Sequence, residues 1–235
     1  MNYSLAILEI SVVAAGLAIL LLDLWTPVAQ KRSLGYAAAA AVGLILLGSL
    51  WMDAASPQYA FGKMFVLDSL ALFFKRFFLC AAVAVLLMSV EFADRIEGGI
   101  AEYYALILFA LSGMMFAASA NDFILVFVSL ELITVTFYIL TSFQRNRLHS
   151  LEAGVKYLIL GALSSAFLIY GIALIFGVAN TTSFGDLMAT PRVTTGKPVF
   201  LLGLLLVLVG LGFKIAAFPF QIWAPDVYHR ANLLF

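Results

Sequence analysis

VFLLGLLLVLVGLGFKIAAFPFQIWA, residues 199–224, carries a single charged side chain, Lys214. A run of roughly 20 apolar residues is enough to cross about 30 Å of hydrocarbon. A lysine at the centre of such a helix costs about 2.5–3.5 kcal/mol on insertion scales. A chain that keeps the lysine places it in a polar cavity or on an ion path. Five residues on stands Pro219, which has no backbone N–H and clashes with the preceding turn. The Ile215 carbonyl therefore loses its i+4 donor, and a helix break is expected beside the lysine. Non-helical backbone at membrane depth is tolerated where it is buried in protein or lines a wet cavity. Broken helices of this kind mark ion sites in transporters.

The rest of the chain agrees with a membrane setting. Of 235 residues, 64% are apolar and 11% charged, with a mean hydropathy of +1.09. Soluble domains carry about 25% charged residues, so an ordinary soluble enzyme is excluded. Net charge is zero, and no basic stripe is present to bind a phosphate backbone, so nucleic acid is not a partner. Two isolated histidines, His149 and His229, make no metal site. No Gly-rich phosphate loop, CxxC or nucleophile triad is present, and no cofactor bound by this chain is expected. Cys80 reads as a small packing residue. MNYSLAILEI lacks a basic n-region and its apolar run continues to Leu22, so it reads as a first span and not a cleaved signal.

Seven segments meet the spanning test: 4–22, 34–52, 66–90, 102–120, 123–143, 153–179 and 199–223. Asp23–Pro27, Asp53–Pro57, Glu91–Gly99, Asn121-Asp122, Arg145–Arg147 and Asn180–Pro198 separate them. The expected fold is an all-α polytopic helix bundle. With the N-terminus outside, the cytoplasmic loops hold Lys31, Arg32, Arg95, Arg145, Arg147 and Arg230, which is the favoured sense. The other side holds Lys63, Arg192 and Lys197, and Lys75 and Arg76 weaken the bias. Trp25, Trp51, Trp223, Tyr36, Tyr59 and the Tyr103-Tyr104 pair stand near segment ends, as interfacial anchors do. Gly113 with Ala117, Gly161 with Ser165, and Gly203 with Gly210 read as helix-packing positions without chemistry.

Two further ionisable residues lie inside apolar segments. Glu131 is about 12 Å deep in the fifth, with Thr134 and Tyr138 on the same face. Lys156 lies about two turns after the fifth-to-sixth loop, and its alternative reading is a snorkelling interfacial lysine. Their depths differ by roughly 12 Å, so a direct contact needs helix tilt or a bridge. Glu9, Asp23 and Asp68 lie near segment ends and are expected to be solvated. Burial disfavours a lysine's charge and a nearby carboxylate favours it, so a Lys–Glu system can gain and release a proton.

GFKIAAFPFQIWAPDVY (Gly212–Tyr228), SLELITVTFYIL (Ser129–Leu140), EAGVKYLILGALSSAFLIYG (Glu152–Gly171) and FGVANTTSF (Phe176–Phe184) together resemble a known family. It is the N-type membrane subunit family of bacterial respiratory complex I, the proton-translocating NADH:quinone oxidoreductase. That family is similar to cation/proton antiporter subunits. The resemblance runs through most of residues 64–228. It implies a proton path in which Lys214 is the carrier on a discontinuous seventh helix, Glu131 the tuning carboxylate and Lys156 the lysine of the sixth helix. It also implies two inverted five-helix repeats within about fourteen helices. Residues 1–101 would be a three-helix N-terminal segment and 102–235 four helices of an incomplete first repeat. After Tyr228 the family continues into an eighth helix, whereas this chain reads His229–Phe235 and ends. A fragment or truncated product is therefore expected, with no proton flux of its own.

The implied partners are the lipid bilayer and the other membrane subunits of the complex, in the bacterial inner membrane. NADH and quinone would be used by the whole complex. The alternatives are a cation/proton antiporter subunit and a structural remnant without activity.

Overall fold

The computed structural model describes residues 3–27, 30–92, 99–144, 146–189 and 198–230. Arg95, Arg145, Arg192, Lys197 and the last residues 231–235 lie outside the described residues, as do the side chains of His229 and Arg230.

A 3-10 turn, Tyr3–Ala6, leads into α1 (Ile7–Asp23), followed by α2 (Ser33–Leu50), α3 (Ser69–Phe92), α4 (Ile100–Ala118), α5 (Phe123–Thr141) and α6 (Leu148–Ala179). All six are long and apolar enough to cross a membrane. A short helix, α7 (Phe184–Ala189), precedes α8 (Pro198–Lys214) and α9 (Trp223–Arg230). The seventh expected span is broken as expected: its helix ends at Lys214, and α9 begins only at Trp223.

Two helix starts, those of α3 and α5, are set by aspartate side chains. The Ile124 N–H donates to Asp122 Oδ1 at 2.7 Å, and the Ala71 N–H to Asp68 Oδ1 at 2.7 Å. Each satisfies one donor that a helix N-terminus leaves open. α6 ends at Asn180 in the left-handed region, φ 56°, where asparagine is one of the few tolerated residues. At 32 residues, or about 48 Å, α6 outreaches the hydrocarbon. It begins five residues before the expected segment, because nothing in Leu148–Leu151 stops a helix.

A β-hairpin went unread in the sequence. β1 (Gln58–Ala60) pairs antiparallel with β2 (Phe65–Leu67), with Tyr59 opposite Val66. Its turn runs through three positive-φ residues, Phe61, Gly62 and Lys63, of which only glycine announces that conformation. The hairpin is tied to the α4–α5 connection by the Val66 N–H to Ser119 O (2.9 Å) and the Asn121 N–H to Met64 O (2.8 Å). Asp122 in turn bridges to Ser183, and Thr182 Oγ1 donates to Asp122 Oδ2 at 2.8 Å. Three connections are therefore knitted together at one end of the bundle.

The larger core joins α1–α4 and the hairpin, around Val12, Val42, Phe65, Leu79, Leu86, Leu108 and Met115. A second, around Leu168, Ile172, Ile175, Phe200 and Val207, joins α6 to α8. There the backbones touch: a Cβ on Gly171 would lie 2.6 Å from Gly203 O. Only glycine permits that approach.

Several sequence expectations are corrected here. Glu9 is not solvated: its carboxylate meets Lys75 Nζ at 2.7 Å, and both side chains are 0% exposed. A helix start near the interface still buries a residue that faces the bundle. Arg76 Nη2 donates to Ser49 O (2.6 Å) and Met52 O (2.9 Å), closing the C-terminus of α2. Lys75 and Arg76 are thus committed inside the bundle. Trp25, Trp51, Tyr36 and Tyr59 are exposed as anchors should be, whereas Tyr103, Tyr104 and Trp223 are buried. Cys80 faces outward and is not a packing residue of the core.

Candidate functional site

Glu131 sits in the middle of α5, Ser165 in α6 and Lys214 in the last turn of α8. The three side chains converge. Lys214 Nζ donates to Glu131 Oε1 at 2.9 Å and to Ser165 Oγ at 3.2 Å, while Ser165 Oγ donates to Glu131 Oε1 at 2.5 Å. The Lys214 side chain is 6% exposed and that of Glu131 29%. The ammonium is thus buried while its carboxylate partner keeps an open edge.

The helix end beside Lys214 is built in detail. The Ala217 N–H donates to Gly212 O at 2.8 Å and the Ala216 N–H to Phe213 O at 3.1 Å. These are the two bonds of a Schellman stop, with Ala216 in its left-handed position at φ 51°. An L-residue other than glycine pays roughly 1–2 kcal/mol there. Pro219, joined to Phe218 by a cis peptide, excludes any resumption of the same helix. The stop itself, however, lies upstream of the proline. Lys214 therefore stands at the negative end of a helix dipole, which stabilises its charge. Helical side chains lean toward the N-terminus, so Lys214 reaches back toward Glu131.

Below the break, α9 folds against α6 and α8. Trp223 stacks between Tyr157 (centroids 5.0 Å) and Phe213 (5.7 Å). Its Nε1–H donates to Phe213 O at 3.0 Å. Aromatic sealing on one side of the break leaves Ile215, Phe218 and Ile222 exposed on the other.

The polar face read on α5, Glu131 with Thr134 and Tyr138, is turned toward α6. Thr134 Oγ1 turns back to Leu130 O at 3.0 Å, and the buried Tyr138 ring fills the space that Gly161 leaves without a Cβ. Lys156 stands nine residues from Ser165 along α6, a rise of about 13 Å, and pairs with Glu152 at 2.9 Å. Glu131 is thus brought to Lys214, with Lys156 a helix-length step away. Ser165 was read as a packing residue, and no local signal marks it otherwise. Among the described residues, no group of three or more His, Cys, Asp or Glu could hold a metal ion. A carboxylate and an ammonium in hydrogen-bond contact, one buried and one with an open edge, can exchange a proton.

The family model described as "NADH:quinone oxidoreductase/Mrp antiporter, TM" matches residues 120–234, the stretch that holds all three residues. Subunit N of NADH-quinone oxidoreductase from Desulforamulus reducens is 38% identical over 98% of this chain and 48% of that protein. Subunit N of F(420)H(2) dehydrogenase from Methanosarcina mazei is 37% identical over 94% of this chain and 46% of its own length. Among solved structures, a chain of respiratory complex I from Thermus thermophilus superimposes with a TM-score of 0.75. It is 32% identical and covers 94% of this chain and 47% of that one. The chain spans about half the length of the curated relatives it matches. Its apolar helices and these matches make it a multi-pass membrane protein with the antiporter-like fold, a homologue of NADH-quinone oxidoreductase subunit N over about half of that protein's length.

Proposed function

We propose that this chain supplies part of a proton-translocation path to an NADH:quinone oxidoreductase complex of the bacterial inner membrane. Electron transfer from NADH to quinone takes place in other subunits, and this chain binds neither. Its partners are the other membrane subunits and lipid. The observation that carries this reading is the Lys214–Glu131 contact at the end of α8. The 2.9 Å contact puts an ammonium proton of Lys214 within direct transfer distance of the Glu131 carboxylate. The exposed edge of Glu131 is one exit. Lys156, exposed with Glu152 at the far end of α6, is the side chain at the mouth of the path. Residues 1–101 form a three-helix N-terminal segment, and 102–235 four helices of an antiporter-like first repeat that holds the path.

Both named electron donors among the relatives serve the same type of subunit, in keeping with a chain that takes no part in redox chemistry. A cation/proton antiporter subunit is the second reading, favoured by the family description covering residues 120–234. Sodium dependence of transport distinguishes the two.

The test uses membranes containing the assembled complex. Lys214→Ala should lower NADH-driven acidification at least about tenfold, the scale of a lost acid–base group, with assembly intact on native gels. Lys214→Arg should rescue little, because arginine does not release its proton. Wild-type pumping in Lys214→Ala would remove this lysine from the path. The N-terminus lies outside, which thiol labelling of Asn146→Cys on a Cys80→Ser background checks. Labelling of position 146 by an impermeant reagent from outside intact cells reverses the orientation.

A further inference from the structure

Resting on that reading, we propose that Ser165 is a positioning residue of the proton site, the hydroxyl that holds the Glu131 carboxylate against Lys214. Among the described residues, its Oγ is the one neutral polar atom that hydrogen-bonds both charged groups: it donates to Glu131 Oε1 and accepts from Lys214 Nζ. A serine hydroxyl has one donor and two acceptor positions, and this geometry commits the donor to the carboxylate. Lysine and serine both converge on Oε1, which leaves Oε2 as the oxygen for water or an incoming proton. Glu131 has rotamer freedom and an open edge, so without the serine its carboxylate is free to swing toward water. α6 places Ser165 firmly. One residue earlier, Ser164 Oγ donates to Gly210 O at 2.9 Å, and Gly210 packs on Leu168 and Ser164. The α6–α8 contact that fixes Lys214 therefore fixes Ser165 with it, and Glu131 on α5 is the member that has to be held.

A packing role and a positioning role predict opposite orders of substitution. A residue that only lets helices approach tolerates alanine and suffers from an added methyl. A residue that works through its hydroxyl tolerates threonine and fails as alanine. In the assembled complex in native membranes, Ser165→Ala should pump about tenfold less, the equivalent of one lost hydrogen bond to a charged group. Ser165→Thr should keep at least about half of wild-type pumping, since it retains the donor. The infrared carboxylate band assigned to Glu131, by difference from Glu131→Gln, should move in Ser165→Ala and stay in Ser165→Thr. Should Ser165→Ala fail to assemble, Ser165→Cys replaces it: similar volume, weak donor, and the same loss expected. Wild-type pumping in Ser165→Ala or Ser165→Cys, loss in Ser165→Thr with assembly intact, or an unmoved band overturns the proposal. Each of those outcomes with Lys214→Ala still inactive leaves the proton path standing. Full pumping in Lys214→Ala removes the path itself.

Discussion

Two lysine–glutamate pairs with buried ammonium groups occupy opposite halves of this bundle, and they are built differently. Lys75 and Glu9 meet at 2.7 Å between α3 and α1, both 0% exposed, with the Phe65 ring 4.6 Å below the ammonium. Neither has a further hydrogen-bond partner among the described residues. Lys214 and Glu131 meet at 2.9 Å, share Ser165, and stand at a helix stop with the glutamate 29% exposed. A third pair, Lys156–Glu152, is an i,i+4 contact at 36% and 44% exposure. The first pair is sealed on both sides, the second has a buried ammonium and an accessible carboxylate beside a helix stop, and the third is open on both sides. Proton exchange needs the middle combination. A dry pair in unbroken helices has nowhere to send a proton and is held by the cost of separating it.

That contrast can be broken by mutation. Lys75→Met alone strands the Glu9 charge in the core and should cost about 3–5 kcal/mol. It would be read as a lowered unfolding midpoint or loss of assembled complex. The double change Glu9→Leu with Lys75→Met should recover most of that loss, because well-packed apolar replacements of buried pairs are often neutral. A double variant as unstable as the single one would show that the pair is more than a neutralised contact.

Glu131→Gln should lower pumping about tenfold while leaving assembly intact, since the amide oxygen still accepts from Lys214 Nζ but the carboxylate charge is lost. Combining it with Lys214→Met should restore stability but no pumping. Recovery of pumping in that double variant would make the second pair structural, like the first.

Smaller effects sharpen the role of the break. Ala216→Gly relieves the left-handed strain and should stabilise by about 1 kcal/mol, read as a rise in the unfolding midpoint with pumping unchanged. A fall in stability would mean that the alanine methyl is packed and not merely strained. The smallest stability change belongs to Lys156→Gln, at most about 0.5 kcal/mol for an exposed helix pair. Slower pumping should accompany it, and unchanged pumping would take Lys156 out of the path.

Much of this was legible in the linear chain. Six spans and the stop near Lys214 follow from local composition, because hydrocarbon thickness constrains each segment on its own. The identity of Lys214 as the decisive ionisable group is likewise local: one charge in a long apolar run. What stayed hidden was pairing. Glu9 looked solvated because its distance from the chain end was read in place of its helix face. Ser165 looked inert because serine is the ordinary small residue of helix contacts. The hairpin at residues 58–67 has too little alternation to be read as strands, and its positive-φ turn includes Phe61 and Lys63.

The sequence alone determined that this is a membrane helix bundle with an intramembrane lysine at a helix stop, since both properties reside in contiguous residues. Tertiary structure decided which carboxylate that lysine meets. It chose Glu131 over Glu152, drew in Ser165, and sealed Glu9 against Lys75. Those choices depend on helix tilt and on how closely α6 and α8 approach at Gly171 and Gly203. Such an approach is a property of two surfaces packed together, and neither segment specifies it by itself.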